Sequence, residues 1–401
     1  MDVPHQLGVL AVILFAAKLS GWAAQRIGQP AVLGELVAGI ILGGSVLNVV
    51  DSHDSILHFL AELGVVILLF EIGLETDLRK LLAAGPAATA VAVVGVALPF
   101  AIGYGVCRAW GLENLVSIVA GAALTATSVG ITARVLSDLG RLQEPESQIV
   151  LGAAVIDDII GLIILTVVAG MTEGMDVTPL GIVQITAVAF GFLVVTLAVG
   201  TLLVPRLANA IRRIELPGVT TTAALILALG LAWLADVCGS AMIIGAFAAG
   251  MLLTRTPQAD EIEHGVAHIG QFFVPVFFVV VGAAVDVRVF NPLESDNWES
   301  LAVGSGLIVA AILSKFVSGY APFWFKGRKA VIGVGMIPRG EVGLIFAQMG
   351  LASGLFDAGL FGAVTLMVMV TTFIAPPLLK MLFPPTQQSL RHQDGIADLV
   401  T

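Results

Sequence analysis

AAVIDDIIGLIILTVV, residues 153–168, sets two adjacent carboxylates, Asp157 and Asp158, inside an apolar run from Ser147 to Gly170. Helical rise is ~1.5 Å per residue, so ~20 residues cover the ~30 Å of a bilayer's hydrocarbon, and this run reads as a membrane-spanning helix. An ionised Asp at the centre of such a helix costs ~2.5–3.5 kcal/mol on insertion scales, and a second one adds to that. Buried acids of this kind mark ion and proton pathways, so the pair is read as an intramembrane ion or proton site. Ala154 and Gly161 lie one turn away on the same side, where their small size lets other helices approach.

Working outward, the composition agrees. Of 401 residues, 58% are hydrophobic and only 12% are charged, about half the charged share of a soluble domain. Repeated long apolar runs make this an all-α polytopic membrane protein. The formal charge is −10, and no stripe or tail of Lys and Arg forms, so nucleic-acid binding is not expected. Two cysteines, Cys107 and Cys238, cannot make a disulfide framework. The first apolar run lacks a basic leader and carries Lys18, so it reads as a membrane helix rather than a signal peptide.

Apolar windows predict thirteen transmembrane spans: 7–25, 31–47, 57–75, 86–109, 115–139, 147–170, 179–204, 217–235, 238–254, 268–286, 300–323, 329–353 and 357–383. A polar tail, 384–401, follows. Alternate connections carry Arg26; Arg79 and Lys80; Arg134 and Arg141; Arg206, Arg212 and Arg213; Arg255; Lys326, Arg328 and Lys329; Lys380 and Arg391. The opposite connections hold only Arg108 and Arg288 among many acids: Asp51, Asp54, Glu173, Asp176, Glu294, Asp296 and Glu299. The positive-inside rule then puts the N-terminus outside and the C-terminus, with its tail, in the cytoplasm.

Spans one to six and eight to thirteen, joined by the seventh, read as two halves of inverted topology. In each half the fifth span is interrupted, by LTATSVGIT at 124–132 and by GMIPRGEVG at 335–343. Matching interruptions in inverted halves point to a transporter's binding site. A broken helix leaves partial positive charge at its N-terminal ends and partial negative charge at its C-terminal ends. Asp157 and Asp158 could offset the first; Lys315, within LIVAAILSKFVSGYA, is the cation the sequence offers for the second. With Ser314 and Ser318 flanking it and Gly319 following, it reads as a buried ammonium paired with an Asp rather than one that snorkels. Arg339 beside Glu341 reads as a structural pair, Glu71 and Glu75 as the acids of a cytoplasmic funnel, and Lys18 and Glu35 as a pair between the first two helices. The six histidines sit at span ends or in loops and read as solvated.

The chemistry of the aspartates is competition. A carboxylate can hold a proton or coordinate Na⁺ or Li⁺, but hardly both. Its pKa in water is ~3.9; burial and a neighbouring like charge raise it, and an ammonium nearby lowers it. Competition of this kind couples two ions without a nucleotide, and no GxxxxGK[ST] phosphate loop is present.

The stretches GELVAGIILGGSVL, LLFEIGLETDL, LTATSVGITARVLSDLG, GAAVIDDIIGLIIL, LSKFVSG and GMIPRGEVGLIFA together resemble the sodium/proton antiporters of the cation:proton antiporter-2 family, and most closely its bacterial NapA type. The resemblance covers almost the whole chain, in order. It implies a thirteen-helix homodimer of the bacterial inner membrane, a monovalent cation:proton antiporter serving pH homeostasis, with two crossed discontinuous helices and no cofactor beyond the transported Na⁺ or Li⁺ and H⁺. It implies core helices at about 86–170 and 300–383, panel helices making the dimer at about 7–75 and 217–286, and a linking helix at about 179–204. Carried over by motif, Asp157 and Asp158 are the ion- and proton-binding pair, Lys315 the lysine partner, Thr127 and Ser128 the polar break, and Glu341 the acid of the second break. Gly44 departs from the pattern, standing where related sequences often carry Pro. An Asp-Asp pair with a lysine resembles the electrogenic branch, implying more than one H⁺ per Na⁺. The alternative within the family is K⁺/H⁺ exchange or potassium efflux.

Two other classes fit less well. A channel needs an uninterrupted pore or repeated filter, which the sequence lacks. An intramembrane aspartyl protease needs two acids facing across a substrate, whereas neighbours on one helix point ~100° apart. The chain is therefore not read as an enzyme.

Overall fold

The structure, a computed structural model, describes residues 3–27, 29–51, 54–172, 179–211, 218–254, 256–285 and 298–382. Among the described residues there are fifteen α-helices and no strand. In order they are α1 (Val3–Arg26), α2 (Ala31–Leu42), α3 (Ser55–Glu75), α4 (Leu78–Ala109), α5 (Asn114–Ala123), α6 (Val129–Asp138), α7 (Pro145–Thr172) and α8 (Pro179–Ile211). They continue with α9 (Val219–Val237), α10 (Met242–Leu253), α11 (Ala259–Ala283), α12 (Trp298–Ser318), α13 (Lys329–Gly335), α14 (Glu341–Ala352) and α15 (Ala358–Leu382). Nine of the described helices are long and apolar enough to cross a bilayer unaided. The fifteen make up the thirteen expected spans, because the fifth is split into α5 and α6 and the twelfth into α13 and α14.

Several ends differ from expectation, each for a local reason. α4 starts at Leu78, not near 86: Pro86 lies inside it, past the polar first turn that a hydropathy window excludes. α11 starts at Ala259, nine residues early, because Asp260 and Glu261 occupy its first turn, where carboxylates favour the positive end of the helix. α2 stops at Leu42, where Gly43 and Gly44 open a run of turns ending in Asn48, whose φ is +52°. The tail 384–401 and the loop charges Glu173, Asp176, Arg212, Arg213, Arg255, Arg288, Glu294, Asp296 and Arg391 lie outside the described residues.

The chain divides into two compact units. One comprises Met1–Ser20, Gly34–Leu78 and Asp158–Val287. Its core is α3 laid against α10 and α11, with α9 on α10, and Phe70, Leu74, Ala246, Ala249 and Val266 are fully enclosed there. The α3–α10 contact runs through bare backbone. A Cβ on Gly73 would collide with the Phe247 carbonyl and stand 3.0 Å from the Gly250 Cα, the close approach that small residues permit between membrane helices. Lys18 is exposed and Glu35 buried; no ion pair joins them among the described residues, which corrects the pairing expected from sequence.

The other unit comprises Gly21–Leu33, Arg79–Asp157 and Arg288–Thr401. In it α12 packs on α13 and α15, and α14 packs on α5 and α15. Ala88, Val91 and Ala92 of α4 close over Ile149 and Val150 of α7 and Ile332 of α13. Both broken spans belong to this unit.

Candidate functional site

The first break begins where α5 ends. Leu124 and Thr125 form a tight turn, with the Thr125 amide and hydroxyl both donating to the Ala122 carbonyl (2.9 and 2.7 Å). Ala126 to Ser128 then run without helical pairing until α6 opens at Val129. The second break follows Gly335. Pro338 cannot donate a backbone hydrogen bond, and Gly340 reaches α14 in an extended conformation with no side-chain cap.

Unpaired peptide groups at membrane depth are tolerated only where protein or water satisfies them. Here each break satisfies the other. The Ser128 amide donates to the Pro338 carbonyl at 2.8 Å. The Thr132 hydroxyl donates to the Gly335 carbonyl, the last of α13, at 2.7 Å, and the Thr127 hydroxyl reaches the Met336 carbonyl at 3.4 Å. Arg339 Nη1 donates to the Ala126 carbonyl at 2.8 Å. From α15 the Thr372 hydroxyl donates to the Arg339 carbonyl at 2.5 Å. Gly340 lies flat on Ser128, where a Cβ would come within 2.8 Å of the Ser128 Cβ and Oγ.

Beside this crossing, Lys315 Nζ on α12 stands 3.0 Å from Asp157 Oδ2 on α7, and neither side chain has exposed surface. Gly95 of α4 gives the ammonium its room: a Cβ there would sit 3.4 Å from Nζ. Asp157 Oδ1 is buried without a hydrogen-bond partner, as are Nε and Nη2 of Arg339. The charge of Asp157 also acts at longer range on the buried Arg339 guanidinium. Asp158, the next residue on α7, is partly exposed.

The cation at the carbonyl-rich break is therefore Arg339 rather than Lys315, while Lys315 makes the buried pair with an aspartate that the sequence favoured for it. Glu341 opens α14, but its side chain lies outside the described residues. Glu71, in the other unit, packs its carboxylate directly over Gly270 of α11, so a Cβ there would make the Glu71 side chain swing aside. Sequence reasoning missed Thr132, Thr372 and Gly95. Thr132 lies at the edge of the quoted LTATSVGIT motif. Thr372 gives no signal of its own, since Thr365 and Thr371 on the same helix bond only to their own backbone. Among the described residues no cluster of His, Cys, Asp or Glu has the geometry of a resident metal site, and Cys107 and Cys238 are both free.

A family model described as "Sodium/hydrogen exchanger, transmembrane" matches residues 11–384. The high-affinity Na(+)/H(+) antiporter NhaS3 of Synechocystis is 41% identical, over 93% of this chain and 89% of its own. The Na(+)/H(+)-K(+) antiporter GerN of Bacillus cereus is 36% identical, over 95% and 97%. An Na(+)/H(+) antiporter of Enterococcus hirae is 33% identical, over 93% and 97%. Among solved structures, the sodium proton antiporter MjNhaP1 of Methanocaldococcus jannaschii superposes with a TM-score of 0.67 at 17% identity, covering 95% of this chain and 98% of its own. At that identity the likeness speaks for the fold.

Proposed function

Because the chain belongs to the sodium/hydrogen exchanger transmembrane family, we propose that it exchanges Na⁺ or Li⁺ for H⁺ by alternating access, with the cation and the protons competing at Asp157 and Asp158. The observation that carries this reading is the sealed Lys315–Asp157 pair, one residue from a second carboxylate that is partly open. Asp158 is the group that meets the cation, and Thr127 and Ser128 supply oxygens from the first break. Lys315 stays paired with Asp157 while the site lacks a cation, and releases it when Na⁺ or Li⁺ arrives. Arg339 stays charged at every physiological pH, so it offsets the carbonyls of the break without taking part in proton exchange.

A cycle that moves more than one H⁺ per Na⁺ carries net charge, worth ~2.3 kcal/mol per charge per 100 mV. Membrane voltage then drives cation export. We place the chain in a bacterial inner membrane as a homodimer, N-terminus outside, with no cofactor and with Glu71 and Glu341 in accessory roles. A second reading, K⁺ in place of Na⁺, is supported by the K(+) that the name of the Bacillus cereus relative prints beside Na(+) and by K(+)/H(+) antiporters among the more distant relatives.

The test is the purified chain in liposomes, with internal pH followed as Na⁺, Li⁺ or K⁺ is added, with and without imposed voltage. Na⁺ and Li⁺ are expected to collapse a pH gradient, voltage to alter the rate, and Asp158→Asn to abolish the exchange. A response to K⁺ alone would replace the first reading with the second. Full exchange by Asp158→Asn would overturn the site.

A further inference from the structure

One face of α12 carries the sealed site: Leu307, Ala311, Ser314, Lys315 and Ser318 are all buried. Its opposite face is an open apolar stripe of Val309, Leu313 and Val317, about half exposed and spaced by four residues, continued by Tyr320. In a membrane protein such a stripe faces acyl chains. It does not stop at the end of the helix. The connection to α13, residues 319–328, presents Phe323 at 80% exposure and Trp324 at 50%, their rings packed edge to face 4.9 Å apart. Lys326 and Arg328 follow directly and are exposed. No acid occurs between Gly319 and Ala330.

The loop is held in shape. The Tyr320 and Ala321 amides cap α12 through the Val317 and Ser318 carbonyls, and the Phe325 amide donates to the Pro322 carbonyl. Lys329 Nζ donates to the Phe323 carbonyl at 3.0 Å. Behind it, the buried Glu146 of α7 takes the Arg328 amide at 2.9 Å and Nε at 3.4 Å. Exposed aromatics are therefore fixed at the foot of a lipid-facing stripe, with cations one step further out. Aromatic rings prefer the headgroup level of a bilayer, and each Lys or Arg near an anionic surface adds roughly fivefold to lipid binding.

We infer that residues 319–328 form a binding surface for anionic phospholipid headgroups, with Phe323 and Trp324 seated at the acyl boundary and Lys326 and Arg328 on the phosphate and its added charge. This goes beyond the exchange reaction and does not depend on which residues carry the ion. The loop joins the helix of Lys315 to the helix that leads into the second break, so a bound headgroup holds both ends at one depth.

The test reconstitutes the full chain in phosphatidylcholine vesicles containing either brominated phosphatidylglycerol or brominated phosphatidylcholine at equal mole fraction. The emission difference between the parent and Trp324→Phe isolates Trp324. Quenching several-fold stronger by the brominated phosphatidylglycerol is expected, with the preference lost in Lys326→Gln/Arg328→Gln. Native mass spectrometry on the parent and the double variant gives a second readout that leaves Trp324 untouched: the parent should retain phosphatidylglycerol and the variant lose it. Equal quenching by both lipids, no quenching by either, or equal phosphatidylglycerol retention by parent and variant would each overturn the assignment.

Discussion

Lys315 and Asp157, 158 positions apart in sequence, form a 3.0 Å ion pair from which solvent is fully excluded. Burying two charges is costly, and their mutual attraction in a low-dielectric interior offsets that cost only while both are present. Removing one partner strands the other at a cost of about 3–5 kcal/mol, whereas replacing both with apolar groups of similar size is close to neutral. Lys315→Met and Asp157→Leu should each lower the melting temperature of the detergent-solubilised chain markedly, and Lys315→Met/Asp157→Leu should recover most of the loss. Purely additive losses in the double variant would show that the pair is not coupled.

Thr372 turns its hydroxyl away from its own helix to the Arg339 carbonyl, fixing the peptide on which both the guanidinium and the start of α14 depend. Losing a buried hydrogen bond costs about 1–2 kcal/mol. Thr372→Val, which keeps the shape, is expected to raise the KM for Na⁺ several-fold and shift the pH profile, and Thr372→Ser to restore both. Thr371→Val, at a neighbour that bonds only to its own helix, serves as the control. A Thr372→Val chain transporting like the parent would reduce the residue to packing.

The contact between the two breaks leaves no room at Gly340, where an added Cβ would meet the Ser128 side chain at 2.8 Å. Overpacking of this kind typically costs about 1–3 kcal/mol. Gly340→Ala should therefore depress both transport and melting temperature, and Ser128→Gly in the same chain should restore stability in part. If Gly340→Ala is as stable as the parent, the two breaks do not meet as described.

Outside the membrane, Asp54 caps α3, accepting from the amides of Ile56 and Leu57 at 2.9 and 3.1 Å and from Gln6 at 2.8 Å. The Leu57 amide contributes most to holding its carboxyl below the ordinary value of 3.8. A depressed folded-state pKa stabilises the fold above the unfolded value, and that contribution disappears as pH falls through the folded one. Asp54→Ala should cost about 1 kcal/mol at neutral pH. The gap in melting temperature between parent and variant should narrow as the medium is acidified below 3.8. A gap that does not change with pH would mean the carboxylate is not the cap.

Much of this was legible in the residues, because membrane helices write their length into apolar runs and because a charge inside such a run is rarely silent. Asp157 and Lys315 stood out for that reason, and so did the two interruptions, where Thr127, Ser128 and Pro338 break an otherwise apolar pattern. Beyond the pairing of Lys315 with an aspartate, partnership was not legible. Nothing in the sequence says that Arg339 bonds to the Ala126 carbonyl or that Thr372 rather than Thr371 leaves its own helix; those choices depend on how helices far apart in the chain are brought together. Polar first turns were missed for a different reason. Asp260 and Glu261 are stabilised by the helix end they occupy, yet they lower the local hydropathy by which the span was drawn.

The central claim is that Na⁺ and H⁺ contend for the same carboxylates, and the apparent KM for Na⁺ as a function of pH tests it most directly. In liposomes held at fixed voltage, competition requires that KM climb at least about tenfold per pH unit on the acid side, and more steeply where a second proton competes, while the maximal rate at saturating Na⁺ holds steady. A KM that stays constant as the pH falls would contradict the account.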